Sequence, residues 1–245
     1  MKWGSFGIVH LASLALGAAL IVGIYFALKH TSRKTQTVVL GVLSFSGMAA
    51  ILYNLLMWGS PLEYLPLHLC SLNAMVLPVA VFTRSKTLNN LLLLWSLGAV
   101  AALVVNTAQA EFELFSSVFA FYFFPHVLEF GIPILMFKLG LAEKDAKCIL
   151  PTIAITMGSY TLIHFINVLL NGVCSNKGLE ITVNYMYSLR PENPLLQLFY
   201  NWIPVPYWYM YCIVPIIAVY LAAVYAPQLV AAYKTRKAGR HCKTA

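Results

Sequence analysis

Cys70, His126, His164 and Glu129 are the residues of this chain best suited to covalent chemistry. A thiol becomes an effective nucleophile when a nearby base or cation favours its thiolate. Imidazole is the usual base near neutral pH, and His126 and His164 are both candidates. Glu129 lies at i+3 from His126, one helical turn away, where a carboxylate could orient the ring and hold its tautomer as the third member of a triad does. The amide of Asn73 or Asn106 could donate to an acyl oxyanion. Together these types point to cysteine–histidine acyl chemistry needing no metal and no cofactor.

His68, in the string Leu65-Pro-Leu-His-Leu-Cys70, is the nearest histidine in sequence but not the expected partner. On a helix, i and i+2 lie about 200° apart, so His68 is expected to brace a neighbour. The base has to come from another helix. Cys70 with Asn73, His126 with Glu129, and Tyr160 with His164 and Asn167 share helix faces at i+3 or i+4. His10, Asn54 and Asn106 sit at comparable depth in other apolar segments. One polar cavity in the outer half of a membrane, lined by the third, fifth and sixth spans, would satisfy them all. Each residue also has an ordinary role. A buried Cys is a small apolar residue, asparagines bridge helices, and helix-end histidines bond at interfaces. Glu129 is the hardest to assign that way, because a buried carboxylate needs a partner.

The elements that must position these groups are membrane helices. The chain is 60% apolar and 10% charged, far from the roughly 25% charged residues of soluble domains. Each crossing takes about 20 apolar residues. Seven apolar segments are legible, at about 7–28, 36–58, 65–82, 88–106, 125–141, 148–170 and 208–229, so the reading is an all-α membrane protein of one polytopic domain. The fifth is ambiguous. The aromatic run 112–124 precedes Pro125, and proline suits a first helical turn, so 112–124 is expected to be interfacial or re-entrant with the span starting at Pro125. The alternative is one long helix from Leu114, kinked at Pro125 and Pro133. The loop 171–207 is long enough to form a lid or part of a site.

Thirteen of the sixteen Lys and Arg residues fall in the first, third and fifth loops and in the tail 230–245. The positive-inside rule makes that side cytoplasmic and the N-terminus external. The net charge of +8 is thus a topology signal and not a nucleic-acid footprint, and the partners expected are membrane lipids. The expected location is the plasma or cytoplasmic membrane. The five cysteines have no CxxC or metal-type spacing. The last span has no lysine for a retinal Schiff base, and no Gly-x-Ser-Gly turn of a rhomboid-type protease occurs.

Leu65-Pro-Leu-His-Leu-Cys70, Phe124-Pro-His126, Asn167 with Gly172, and Pro206-Tyr-Trp208 resemble the family that includes bacterial YwaF-type membrane proteins and eukaryotic transmembrane protein 164. The resemblance covers roughly 65–210 and implies a seven-helix fold. The eukaryotic member is described as a cysteine-dependent acyltransferase that moves fatty acyl chains between phospholipids. Carried over, that would make Cys70 the nucleophile and His126 the base. Cys174-Ser-Asn-Lys177 stands where the family pattern has Gly-x-Asn-Tyr. Two readings follow. One is a lipid acyltransferase that transfers or hydrolyses phospholipid acyl groups. The other is a transporter or a lipid- or small-molecule-binding protein with a non-catalytic polar pocket.

Overall fold

The computed structural model describes residues 1–57, 61–105, 109–192 and 194–241, the stretch 236–241 as helix backbone. Its helices are α1 (Ile8–Leu28), α2 (Arg33–Ser44), α3 (Ser46–Met57), α4 (Leu69–Thr83), α5 (Lys86–Val104), α6 (Ser117–Lys138), α7 (Ile149–Asn176), α8 (Pro194–Trp202) and α9 (Ile213–His241). Among the described residues six segments are long and apolar enough to cross a membrane, with α2 and α3 forming one of them across a break at Phe45. Helix α4 is a shorter, seventh apolar helix. No β-strand is present among the described residues, only an isolated bridge between Lys2 and Glu113. The protein is an all-helical, multi-pass integral membrane protein.

Serine caps set three of the starts. Ser32, Ser85 and Ser116 accept hydrogen bonds from the N–H groups of Thr35, Leu88 and Phe119, satisfying donors that a helix leaves open. The cap at Ser116 overturns the expected start at Pro125: α6 is continuous from Ser117 and carries Pro125 and Pro133 inside it. Proline removes a backbone donor, yet helix remains the state that satisfies the rest of the backbone in lipid. The aromatic run from Val118 to Phe124 is therefore helical, not re-entrant. Helix α7 extends to Asn176, so the long loop starts later than expected and contains α8.

Helix α6 is the hub. Leu128, Ile132, Leu135 and Met136 pack with Leu40 of α2, Leu77 and Val81 of α4 and Leu92 of α5 in the inner half. Trp3, Leu103, Phe119 and Phe123 make the outer-end core against α1. A second group joins α5 to α9 through Leu91, Trp95, Ile217, Leu221 and Tyr225, and Trp95 Nε1 donates to Thr156 Oγ1 of α7 at 2.9 Å.

The basic loops meet at one end. Arg33 Nη1 donates to the Gly140 carbonyl at 2.7 Å, Arg84 Nη2 to Thr37 Oγ1 at 2.6 Å, and Lys86 pairs with Asp145 at 3.3 Å. Asn90 ties this end together, donating to the Lys86 and Glu143 carbonyls and accepting from the Asp145 N–H. The N-terminal residues bond residues 110–114 at the opposite end: Trp3 N to the Phe112 carbonyl and Leu114 N to the Met1 carbonyl. The alternation of charge read from the sequence thus corresponds to one physical face.

Candidate functional site

Cys70 is in the first turn of α4. The helix was expected to begin near Leu65, but Pro66 and the extended His68 (φ −79°, ψ 157°) delay it to Leu69. Cys70 is therefore the second helical residue and not five residues deep. His68 is the N-cap and makes no side-chain cap bond. The first-turn N–H groups have no intrahelical acceptor, so the thiol sits at the positive end of the α4 dipole.

One turn further in, Asn73 faces Glu129 of α6. Both are buried, at 0% and 3% exposure. The alignment is not that of a hydrogen bond: Asn73 Nδ2, Asn73 Oδ1 and Glu129 Oε2 are all buried without partners. Gly47 of α3 completes this layer, since a Cβ there would lie 2.6 Å from Glu129 Oε1 and 2.6 Å from Ala74 Cβ. Only glycine lets the three helices close this tightly. Helices α4 and α6 run in the same direction, so Cys70 and His126, each three residues before this contact, stand at the same depth one turn nearer the outer end.

His126 Nδ1 lies 2.7 Å from the Tyr122 carbonyl, which can only accept. The neutral ring therefore carries its proton on Nδ1 and presents Nε2 as a lone pair. Its ring also packs on Tyr122 at 4.4 Å. Glu129 does not bond His126, so the expected triad order is corrected: the backbone, not the carboxylate, fixes the tautomer. No hydrogen bond joins Cys70 to a histidine among the described residues. Cys70 is within electrostatic reach of Glu129, Tyr122 and Tyr187.

Asn54 of α3 lies at i+7 from Gly47, on the face turned toward this cleft, half-buried and without a hydrogen bond among the described residues. Asn106 lies outside the described residues. Beside the cleft, an apolar groove of about 480 Å³ runs along α3 between Phe45 and Leu55 and is closed by Met75 of α4.

The remaining expected members do something else. The single three-helix cavity read from the sequence is two clusters. On α7, Asn167 Nδ2 donates to the Tyr185 carbonyl (2.8 Å) and Ser188 Oγ (2.9 Å), while its Oδ1 accepts from Tyr185 N (3.0 Å). Asn171 repeats the pattern one turn on, bonding both the N–H and the carbonyl of Val183 at 2.8 Å. His164 Nδ1 meets Ser188 Oγ at 3.1 Å. Tyr160 donates to the Tyr207 carbonyl at 2.8 Å and stacks on its ring. His164 and Asn167 thus strap the 183–188 segment to α7 and Tyr160 holds Tyr207 there, instead of facing Cys70. His10 is structural too, accepting from Phe6 N and donating through Nε2 to the Leu103 carbonyl.

The strap carries Met186 and Tyr187 with φ of 51° and 55°, a left-handed geometry costly for bulky residues. Met186 N donates to His68 Nδ1 at 3.4 Å, and the His68 ring packs against Tyr185 and Tyr187 at 5.5 Å each. His68 braces a neighbour, but from an extended N-cap position and not from the helical turn that its spacing assumed. Tyr187 stands over the Cys70 end of α4. Tyr185, Tyr187, Ser188 and Asn171 are site-forming residues that sequence reasoning passed over. The usable signal was the Asn-x-x-x-Asn spacing at 167 and 171 before a long loop.

A family model described as the TMEM164 family matches residues 5–225. No curated protein matches the chain, and no solved structure does.

Proposed function

The chain belongs to the TMEM164 family, and from that premise we propose that it moves fatty acyl groups of membrane lipids through a thioester on Cys70. The observation that carries the reading is that a thiol in the first turn of α4 and His126 on α6 stand at the same depth, with no hydrogen bond to His126 Nε2 among the described residues. The first-turn N–H groups and the Asn73 amide are the donors for the acyl oxyanion. The apolar groove beside Met75 is where a lipid tail enters laterally.

In the first half-reaction His126 Nε2 takes the Cys70 proton and sulfur attacks the acyl carbonyl carbon. The C–S bond forms, the ester C–O bond breaks, and the lysolipid leaves with the proton from His126. In the second, the hydroxyl of a lysophospholipid or of water gives its proton to His126 and attacks the thioester carbonyl; the C–O bond forms, the C–S bond breaks, and His126 returns the proton to the leaving sulfur. Glu129 has no bond to the imidazole and serves the cleft by facing Asn73.

The test is intact-mass analysis after incubation with a labelled diacyl phospholipid. The expected result is an acyl adduct on Cys70 that hydroxylamine removes and that Cys70→Ala abolishes. Lipid that binds without any adduct on Cys70 and without turnover would overturn the reading in favour of a pocket that binds lipid without covalent chemistry.

A further inference from the structure

Helix α8 is nine residues long and joins the strap to the last span. Helix α9 reaches the basic loops at Gln228, which donates to the Lys144 carbonyl, so its start and α8 lie at the opposite, outer end. At about 100° per residue the side chains of α8 fall into three sectors. Leu196 and Phe199 are buried and pack with Tyr209 in a small core of their own. Gln197 and Asn201 make the second sector, exposed and joined by a 3.0 Å hydrogen bond from Nε2 to Oδ1. Leu195, Leu198 and Trp202 make the third, and they are 44–64% exposed. A helix on a water-facing surface has two sectors, one for the core and one for solvent. A third that is apolar and open marks a helix that meets hydrocarbon as well.

The chain carries the open apolar surface onward from α8. Val205 and Trp208 are exposed, and so are Ile216 and Val219 of α9, on a segment from Trp208 that is long and apolar enough to cross a membrane. Trp202 thus stands six residues before a span, where tryptophan concentrates at the headgroup boundary. A second copy of the chain is the other way to cover an apolar face. Three side chains on a nine-residue helix fall far short of the roughly 800 Å² that each partner buries in a stable interface.

We propose that α8 lies along the outer surface of the bilayer, with Leu195, Leu198 and Trp202 seated in the outer leaflet, and that this seat holds down the strap over Cys70. The link is made at two carbonyls of the strap. Tyr209, buried against Phe199 of α8, donates its hydroxyl to the Tyr187 carbonyl, and Tyr207 N donates to the Ser188 carbonyl at 2.7 Å. The Tyr209 ring also stands edge-on to Tyr200 of α8 at 5.5 Å. A helix that leaves the leaflet pulls on these contacts and loosens the segment nearest the thiol. The seat concerns packing and access alone, so it stands whether or not Cys70 carries acyl groups.

The experiment uses the full-length chain in phosphatidylcholine vesicles whose acyl chains are brominated either near the headgroup or near the chain end. The fluorescence of the wild type less that of Trp202→Phe isolates Trp202. Its emission is expected to be quenched about twofold more by the shallow bromines than by the deep ones, and little by aqueous iodide. Quenching by iodide and by neither lipid places the face in water. Quenching by no agent places it under another protein surface, and stronger quenching by the deep bromines places it inside the bilayer. Each of these overturns the proposal. The link to the strap is read in ordinary vesicles, from the rate at which a membrane-impermeant maleimide labels the Cys70 peptide. Leu198→Asp, on the apolar sector, and Tyr209→Phe are expected to raise that rate about tenfold, and Gln197→Asp, on the polar sector, to leave it unchanged. Leu198→Gln carries the same test if Leu198→Asp does not insert. Equal labelling of the Leu198 and Gln197 variants overturns the link to the strap.

Discussion

The bond from His126 Nδ1 to the Tyr122 carbonyl, 2.7 Å within one turn of α6, assigns the imidazole tautomer without help from Glu129. A backbone carbonyl performs the role that a carboxylate performs in a triad. Glu129→Gln, which keeps the shape of the cleft, is therefore expected to retain acylation of Cys70 to within about threefold, whereas His126→Gln loses about a hundredfold. Rates of adduct formation on the purified variants check this. A loss in Glu129→Gln as large as that in His126→Gln would return the orienting role to the carboxylate.

Asn73 is fully buried with both amide atoms unpartnered, one turn below the thiol. As an oxyanion donor it acts only when a tetrahedral centre forms, so its loss separates acyl transfer from simple alkylation. Asn73→Ala is expected to slow acylation by about a hundredfold. The rate of iodoacetamide labelling, which has no oxyanion, changes little. Equal effects on both reactions would mean that Asn73 only shapes the helix contact.

The clearest sequence signals were those carried by a single helix. Cys70 and Asn73 on one face, His126 and Glu129 on one face, and the alternation of basic loops all follow from helical period and charge, and the structure keeps them. What failed was the assumption that polar groups at similar depth share one cavity. Tyr160, His164 and Asn167 have the depth and the face of site residues, but they spend their bonds on Tyr185, Ser188 and Tyr207. Those partners come from a loop whose path has no periodicity to read. Pro125 misled in the opposite direction: the local preference for a helix start there loses to the cap at Ser116 and to the demand of lipid for continuous helix.

At the basic end, Asp145 lies outside the spanning helices. The Lys147 N–H, and then Lys86, hold its carboxyl below the ordinary aspartate range. A depressed folded-state value stabilises the protein above the ordinary aspartate pKa, and that contribution is lost as pH falls through the folded-state value. Thermal unfolding in detergent is therefore expected to lose stability below about pH 4, and Asp145→Asn to flatten that part of the profile. Because the carboxylate is partly open to solvent, the change is small and fades with salt. An unaltered acid limb in the variant would place the acid sensitivity elsewhere.

The strap over Cys70 depends on Asn167, which satisfies both backbone groups of Tyr185 at once. Its truncation leaves a buried N–H and a buried carbonyl without partners, a cost of about 2–4 kcal/mol. It also loosens the segment that carries the left-handed Met186–Tyr187 pair. Asn167→Ala is expected to lower the unfolding temperature and to raise the rate at which a membrane-impermeant maleimide reaches Cys70 by about tenfold. Asn171→Ala, one turn further along α7 and bonded to Val183, does the same more weakly because it holds the strap farther from Tyr187. If labelling stays unchanged while stability falls, the 183–188 segment is a fixed wall of the site. If labelling rises, it is a cover, and substrate access to Cys70 is set by the bonds that α7 makes to it.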